Sequence, residues 1–77
     1  MKADEVLDCV GLYCPMPIAK TATKMKQLKV GEVLELVADD KGVKMDIPAW
    51  CKTTGHQFLG IEEKDGEIHI FVKKTHD

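Results

Sequence analysis

A chain of 77 residues, 44% of them hydrophobic and 31% charged, has the composition of a single small globular domain, here taken as residues 1–77. No apolar run approaches the ~20 residues of a membrane span, and the first residues lack the apolar core of a signal peptide, so we expect a cytoplasmic protein without a membrane partner. The net charge of −2 argues against a nucleic-acid ligand, because phosphate binding needs a basic surplus. The chain has three cysteines, and an odd number favours reduced thiols over a disulfide framework.

The first half of the chain predicts a strand, a helix and a second strand. Residues 5–10 are typical of a strand, which Gly11 ends. Residues 18–28 then repeat apolar side chains at helical spacing, with Ile18, Ala22, Met25 and Leu28 as a core-facing stripe. After Val30-Gly31, residues 32–38 alternate as a strand does.

The second half predicts a turn, a helix and a hairpin. Asp39-Asp40-Lys41-Gly42 is a turn, and a helix over 43–54 is expected to kink or start late because of Pro48 and to end at Gly55. Strands over 56–63 and 67–73 flank the turn residues 64–66. The predicted fold is α+β, a two-layer sandwich of order βαβαββ with two helices on one face of a four-stranded mixed sheet. Its predicted core contains Leu34, Leu36, Ile68, Ile70, Ile18, Ala22 and Met25.

Cys14 lies at the junction between the first strand and the first helix, where it takes the N-cap position. Pro15 and Pro17 suit the first helical turn, since a missing N–H costs nothing there. This leaves the amide of Met16 to face the sulfur, while the helix dipole adds positive potential. Cysteines in such places have a pKa lowered from ~8.5, so Cys14 is the predicted nucleophile.

Motifs spread along the chain resemble those of the TusA-like family of small sulfur-carrier proteins, and the resemblance covers residues 5 to 74. They are Leu7-Asp8, Gly11-Leu12, Cys14-Pro15-Met16-Pro17, Gly31-Glu32, Ala38-Asp39-Asp40, Asp46-Ile47-Pro48 and Gly55-His56. The resemblance implies that Cys14 accepts a sulfane sulfur from a cysteine desulfurase or a rhodanese. It also implies that the resulting persulfide passes to a cysteine of an acceptor protein without a cofactor, in tRNA thiolation, cofactor synthesis or sulfur oxidation.

Two features bear on the partners of such a carrier, which is expected to be a monomer. In family members that serve tRNA thiolation, an acidic residue typically separates the two prolines and a basic residue precedes the cysteine. In this chain Met16 separates the prolines and Tyr13 precedes the cysteine. This favours a different acceptor. Lys20 and Lys24 share one face of the first helix, which is either a docking surface for an acidic partner or an ordinary solvated face.

Other functions are weighed against the sulfur carrier. A redox switch would pair Cys14 with Cys51, and an RNA-binding module is suggested only by the fold class. Cys9, Cys14, Cys51 and His56 have the spacing of a zinc set, but the predicted strand and helix registers point them apart, so no metal is expected. Cys9 and Cys51 are instead expected to be buried as small hydrophobic residues, and the histidines to lie at the surface.

Overall fold

In a computed structural model, which describes residues 3–13 and 16–76, the chain forms two helices and a four-stranded sheet. The elements follow in the order β1 (Glu5–Asp8), α1 (Met16–Gln27), β2 (Val33–Ala38), α2 (Val43–Thr54), β3 (Gln57–Lys64) and β4 (Glu67–Lys73). The predicted order is confirmed, with β1 shorter than the expected strand over 5–10. Within the described ranges, neither helix is long and apolar enough to cross a membrane.

The sheet has the strand order β1-β2-β4-β3. β1 and β2 are parallel, and α1 provides the crossover connection that parallel neighbours need, whereas β4 runs antiparallel to both β2 and β3. The β3–β4 hairpin turns at Asp65 and Gly66, whose positive φ angles of 52° and 82° are those of the type I′ turn that an Asp-Gly pair favours. The mixed sheet predicted from the sequence is therefore confirmed.

The core lies between the sheet and the two helices, but α1 meets it with a different stripe from the predicted one. Leu34, Leu36, Ile68, Ile70 and Met25 are all buried, as expected. The remaining buried residues of α1 are Pro17 and Thr21, whereas Ile18 and Ala22 are only half-buried. Positions one residue apart differ by about 100° around a helix, and Met25 and Leu28 belong to both stripes, so α1 is rotated against the sheet by only part of that angle relative to the prediction.

α2 begins at Val43, five residues before Pro48, so of the two expected alternatives, a kink or a late start, the late start is wrong. Amides at the start of the helix bond to carbonyls of the preceding turn, including Val43 N to Asp40 O at 3.1 Å and Asp46 N to Gly42 O at 3.0 Å. At the other end Gly55 takes the predicted capping role, with a φ of 88° and its N–H donated to Cys51 O at 2.8 Å.

Candidate functional site

The predicted nucleophile Cys14 and the adjacent Pro15 lie outside the described residues. The residues on either side, 9–13 and 16–24, define the surroundings of the motif. Met16 is the first residue of α1, so the chain enters the helix two residues after Cys14. The positive end of the α1 dipole therefore lies at Met16, the first described residue after Cys14 and Pro15.

A tight turn after β1 carries the chain from the sheet towards the motif. Cys9 N donates to Val37 O at 2.6 Å, which extends the β1–β2 pairing by one residue. Leu12 N then donates to Cys9 O at 3.1 Å, closing a four-residue turn whose third residue is Gly11. Gly11 has a φ of 85°, the left-handed value that a type II turn requires at this position. The predicted role of Gly11 as a strand terminator thus has a specific backbone cause.

Two aspartates hold this turn from both sides. Asp8 Oδ1 accepts from Val10 N at 2.9 Å, and Asp39 Oδ1 accepts from Gly11 N at 3.0 Å. Asp39 can reach the turn because the parallel strands β1 and β2 end at the same edge of the sheet. The sequence predicts only a turn role for Asp39, and this contact was not predicted. A polar side chain directly after a strand parallel to β1 is the signal that would have found it.

The amide of Met16 does not have the role that the sequence predicts for it. Met16 N donates to Tyr13 O at 2.9 Å, so this N–H is already bonded to the backbone. The expectation that it is left over for the sulfur is therefore wrong, because the turn into α1 uses it. Pro17 has no N–H and is buried, which fixes the first turn of the helix against the core.

Apolar side chains next to Cys14 and Pro15 in the sequence face solvent. The exposed fraction of Tyr13 is 71% and that of Met16 is 45%. Large apolar residues exposed together are typical of surfaces that contact other proteins. The sequence places these two side chains on either side of Cys14 and Pro15.

A groove between α1 and β1 leads away from Met16. It has a volume of about 370 Å³ and is lined by Leu7, Met16, Ala19, Lys20, Thr23, Lys24 and Gln27. Both predicted partner-binding lysines therefore line one groove together with the exposed Met16. Lys24 Nζ lies 3.9 Å from Glu5 Oε1, so part of its charge is balanced by β1.

The other two cysteines are buried, as predicted. Burial raises the pKa of Cys9, although the Lys20 ammonium opposes this effect, and burial raises the pKa of Cys51 to about 11. Both thiols are therefore protonated at neutral pH. His56 packs its ring against those of Trp50 and His76, and no three His, Cys, Asp or Glu residues in the described ranges are grouped as metal ligands.

Comparisons with known proteins agree with the resemblance seen in the sequence. The family model of the sulfurtransferase TusA matches residues 5–74. YrkF of Bacillus subtilis is 54% identical over 74 residues, which are 96% of this chain but only 40% of YrkF. The sulfur carrier protein TusA of Allochromatium vinosum is 35% identical over 72 residues, covering 94% of this chain and 95% of that protein. A crystal structure of a SirA-like protein from Desulfitobacterium hafniense has the same fold, with a TM-score of 0.80, 19% identity and coverage of 94% and 99%.

Proposed function

Because the chain belongs to the sulfurtransferase TusA family, we propose that it is a sulfur carrier that holds sulfur as a persulfide on Cys14. The observation that carries the proposal beyond family membership is the construction of the chain around the motif. A turn bonded to Asp39 leads into it, α1 begins within it at Met16, and the exposed apolar side chains of Tyr13 and Met16 lie on either side of Cys14 and Pro15 in the sequence. A carrier needs an accessible thiol and a surface that a partner can contact, and neither requires a deep pocket.

The proposed transfer is an exchange at sulfur. The Cys14 thiolate attacks the outer sulfur of a donor persulfide, a new S–S bond forms on Cys14, the S–S bond of the donor breaks, and the donor cysteine leaves as a thiolate. The same exchange in the other direction passes the sulfur to the acceptor cysteine. No net oxidation occurs, so no cofactor is needed. The N-terminus of α1 favours the thiolate through the helix dipole, which is the contribution of this fold to the reaction.

The groove beside Met16 is the surface that we assign to the partner proteins. Lys20 and Lys24 line it, so we propose that a donor or acceptor presents acidic residues there while its reactive cysteine approaches between Tyr13 and Met16. The apolar Tyr13 and Met16 favour an acceptor other than that of the tRNA-thiolation members. We place the reaction in the cytoplasm, where thiols stay reduced.

Persulfide loading tests the proposal directly. The chain is incubated with a cysteine desulfurase and cysteine, or with a rhodanese and thiosulfate, and analysed by mass spectrometry. We expect the gain of one sulfur atom, located on Cys14 by peptide mapping and removed by dithiothreitol. Cys14→Ser should abolish the gain, and Cys9→Ser, the matched control, should retain it. A persulfide found mainly on Cys51, or none with either donor, would overturn the proposal.

Charge reversal in the groove tests the partner surface. Lys20→Glu combined with Lys24→Glu should slow sulfur transfer at low salt by about tenfold, because opposite charges speed the encounter of two proteins. Lys26→Glu is the matched control, since Lys26 is on the same helix but lines a different cleft. Equal rates for the double variant and the control would mean that the lysines form only a solvated face.

The redox switch is less well supported than the carrier. Cys51, the resolving thiol that it needs, is 2% exposed, and burial raises its pKa to about 11. A thiol in that state is a poor nucleophile at neutral pH. Treating the chain with a mild oxidant separates the two functions, because a switch would form a disulfide between Cys14 and Cys51 and a carrier would not.

A further inference from the structure

A second cleft lies between the two helices, away from the motif. It has a volume of about 490 Å³ and is lined by Ala22, Met25, Lys26, Trp50, Thr54, His56, Lys74 and His76. Lys26 is ten residues after the start of α1, which corresponds to about 15 Å along the helix axis. None of the residues that line this cleft lines the groove beside Met16.

The walls of the cleft are flat and largely apolar. The rings of Trp50 and His56 are 5.6 Å apart, and His56 stacks on His76 at 4.5 Å with an angle of 7° between the ring planes. Met25 and Ala22 line the cleft from α1. A planar ring can pack against such a surface, because offset and edge contacts between flat groups are favourable.

The backbone after β4 fixes the stacked rings of His56 and His76, which form the histidine wall of the cleft. Thr75 N donates to His56 Nδ1 at 3.3 Å, and Thr75 Oγ1 donates to Gly55 O at 2.8 Å. His76 Nε2 lies 2.6 Å from Thr54 O. These contacts hold residues 75 and 76 against the end of α2, so the aromatic surface is formed before any ligand binds.

Two lysines line this cleft. Lys26 lines it from α1, and Lys74, only 4% exposed, lines it from the end of β4 and donates from Nζ to Leu28 O at 2.6 Å. None of the described residues that line the cleft carries a carboxylate. The pKa of His56 is lowered by burial first and then by the nearby His76 and Lys74, which agrees with a positive surrounding.

We propose that the cleft between the C-terminal halves of α1 and α2 binds a small planar organic anion. Its ring would pack against Trp50 and His56, and its carboxylate or sulfonate would face Lys26. The volume is within the range of about 300–1,000 Å³ that small-molecule sites occupy. The proposal does not depend on the sulfur chemistry of Cys14, so either can fail without the other.

A titration followed by ¹H–¹⁵N correlation spectra tests this site, with 2-naphthoate as the probe. Trp50 is the sole tryptophan of the chain, so its indole N–H gives a unique signal. We expect saturable shifts of this signal and of the Gly55 and Thr75 amides. The neutral isostere 2-naphthamide should bind at least about threefold more weakly, since it lacks the charge. Equal binding of the two compounds, or no saturation up to about 5 mM, would overturn the proposal.

Two lysine variants locate the anion. Lys26→Ala should weaken naphthoate binding by about threefold while leaving naphthamide binding unchanged. Lys20→Ala, its matched control in the other groove, should leave both affinities unchanged. Loss of naphthoate binding in Lys20→Ala but not in Lys26→Ala would place the probe beside Met16 and refute the site between the helices. Persulfide loading of the Lys26→Ala variant should equal that of the unchanged chain.

Discussion

Alkylation should distinguish the Cys14 thiol from the buried Cys51 thiol by more than two orders of magnitude in rate. Burial raises the pKa of Cys51 to about 11, so at about pH 7.5 only about 0.03% of this thiol is ionised. A thiol with the ordinary pKa of about 8.5 is about 9% ionised at that pH, which already gives a ratio of about 300. A lowered Cys14 pKa would widen the ratio, and so would the exclusion of reagent from the core.

The assay is a time course with limiting iodoacetamide, followed by peptide mapping of the cysteines. We expect one rapid equivalent on Cys14 in the folded chain and none in Cys14→Ser. Guanidinium should bring the remaining thiols close to one common rate, because unfolding removes the burial that protects Cys9 and Cys51. Alkylation of Cys51 within about tenfold of Cys14 in the folded chain would refute the reasoning, as would a Cys14 pKa at or above about 8.5.

Three further predictions concern the turn before the motif and the histidine wall. Gly11→Ala should lower the free energy of unfolding by about 1–2 kcal/mol in urea, because a left-handed φ is costly for alanine, while its Cβ would meet no atom of the described residues within 4 Å. Gly11→Asn should lower it by less, and equal losses would contradict the backbone explanation. Asp39→Ala should lower the free energy of unfolding by about 0.5–1 kcal/mol and speed hydrogen exchange of the Gly11 amide. Asp39→Asn keeps an acceptor, so the Gly11 amide should exchange more slowly in this variant than in Asp39→Ala. Identical exchange in both variants would mean that the bond does not hold the turn. The pKa of His56 is lowered in the folded chain, so the unfolded chain binds more protons as the pH falls through about 6.5, and stability should decrease there. His56→Asn should reduce this decrease in urea titrations at several pH values, and an unchanged pH dependence would exclude His56 as its source.

The sequence by itself determined the order and type of the helices and strands, and the local signals at several of their ends. Asp65 and Gly66 predict the hairpin turn because both positions need a positive φ, and Gly55 predicts the end of α2 for the same reason. The burial of Cys9 and Cys51 could also be predicted from the local pattern. Both residues occupy inward-facing positions of the apolar pattern, and a free thiol behaves as a small hydrophobic group. These features depend on residues within a few positions of one another, and the printed sequence contains all of that information.

Only the tertiary structure decided how these elements meet. Thr21 is buried in place of Ala22 because packing against the sheet and α2 sets the rotation of α1, and an apolar pattern does not resolve one residue of offset. The bond from Gly11 to Asp39 joins residues 28 apart, which meet because β1 and β2 are parallel neighbours. The wall of His56 and His76 likewise needs the end of β4 to return beside α2. Such contacts are set by chain topology and packing, so they cannot be predicted from the spacing of residues along the sequence.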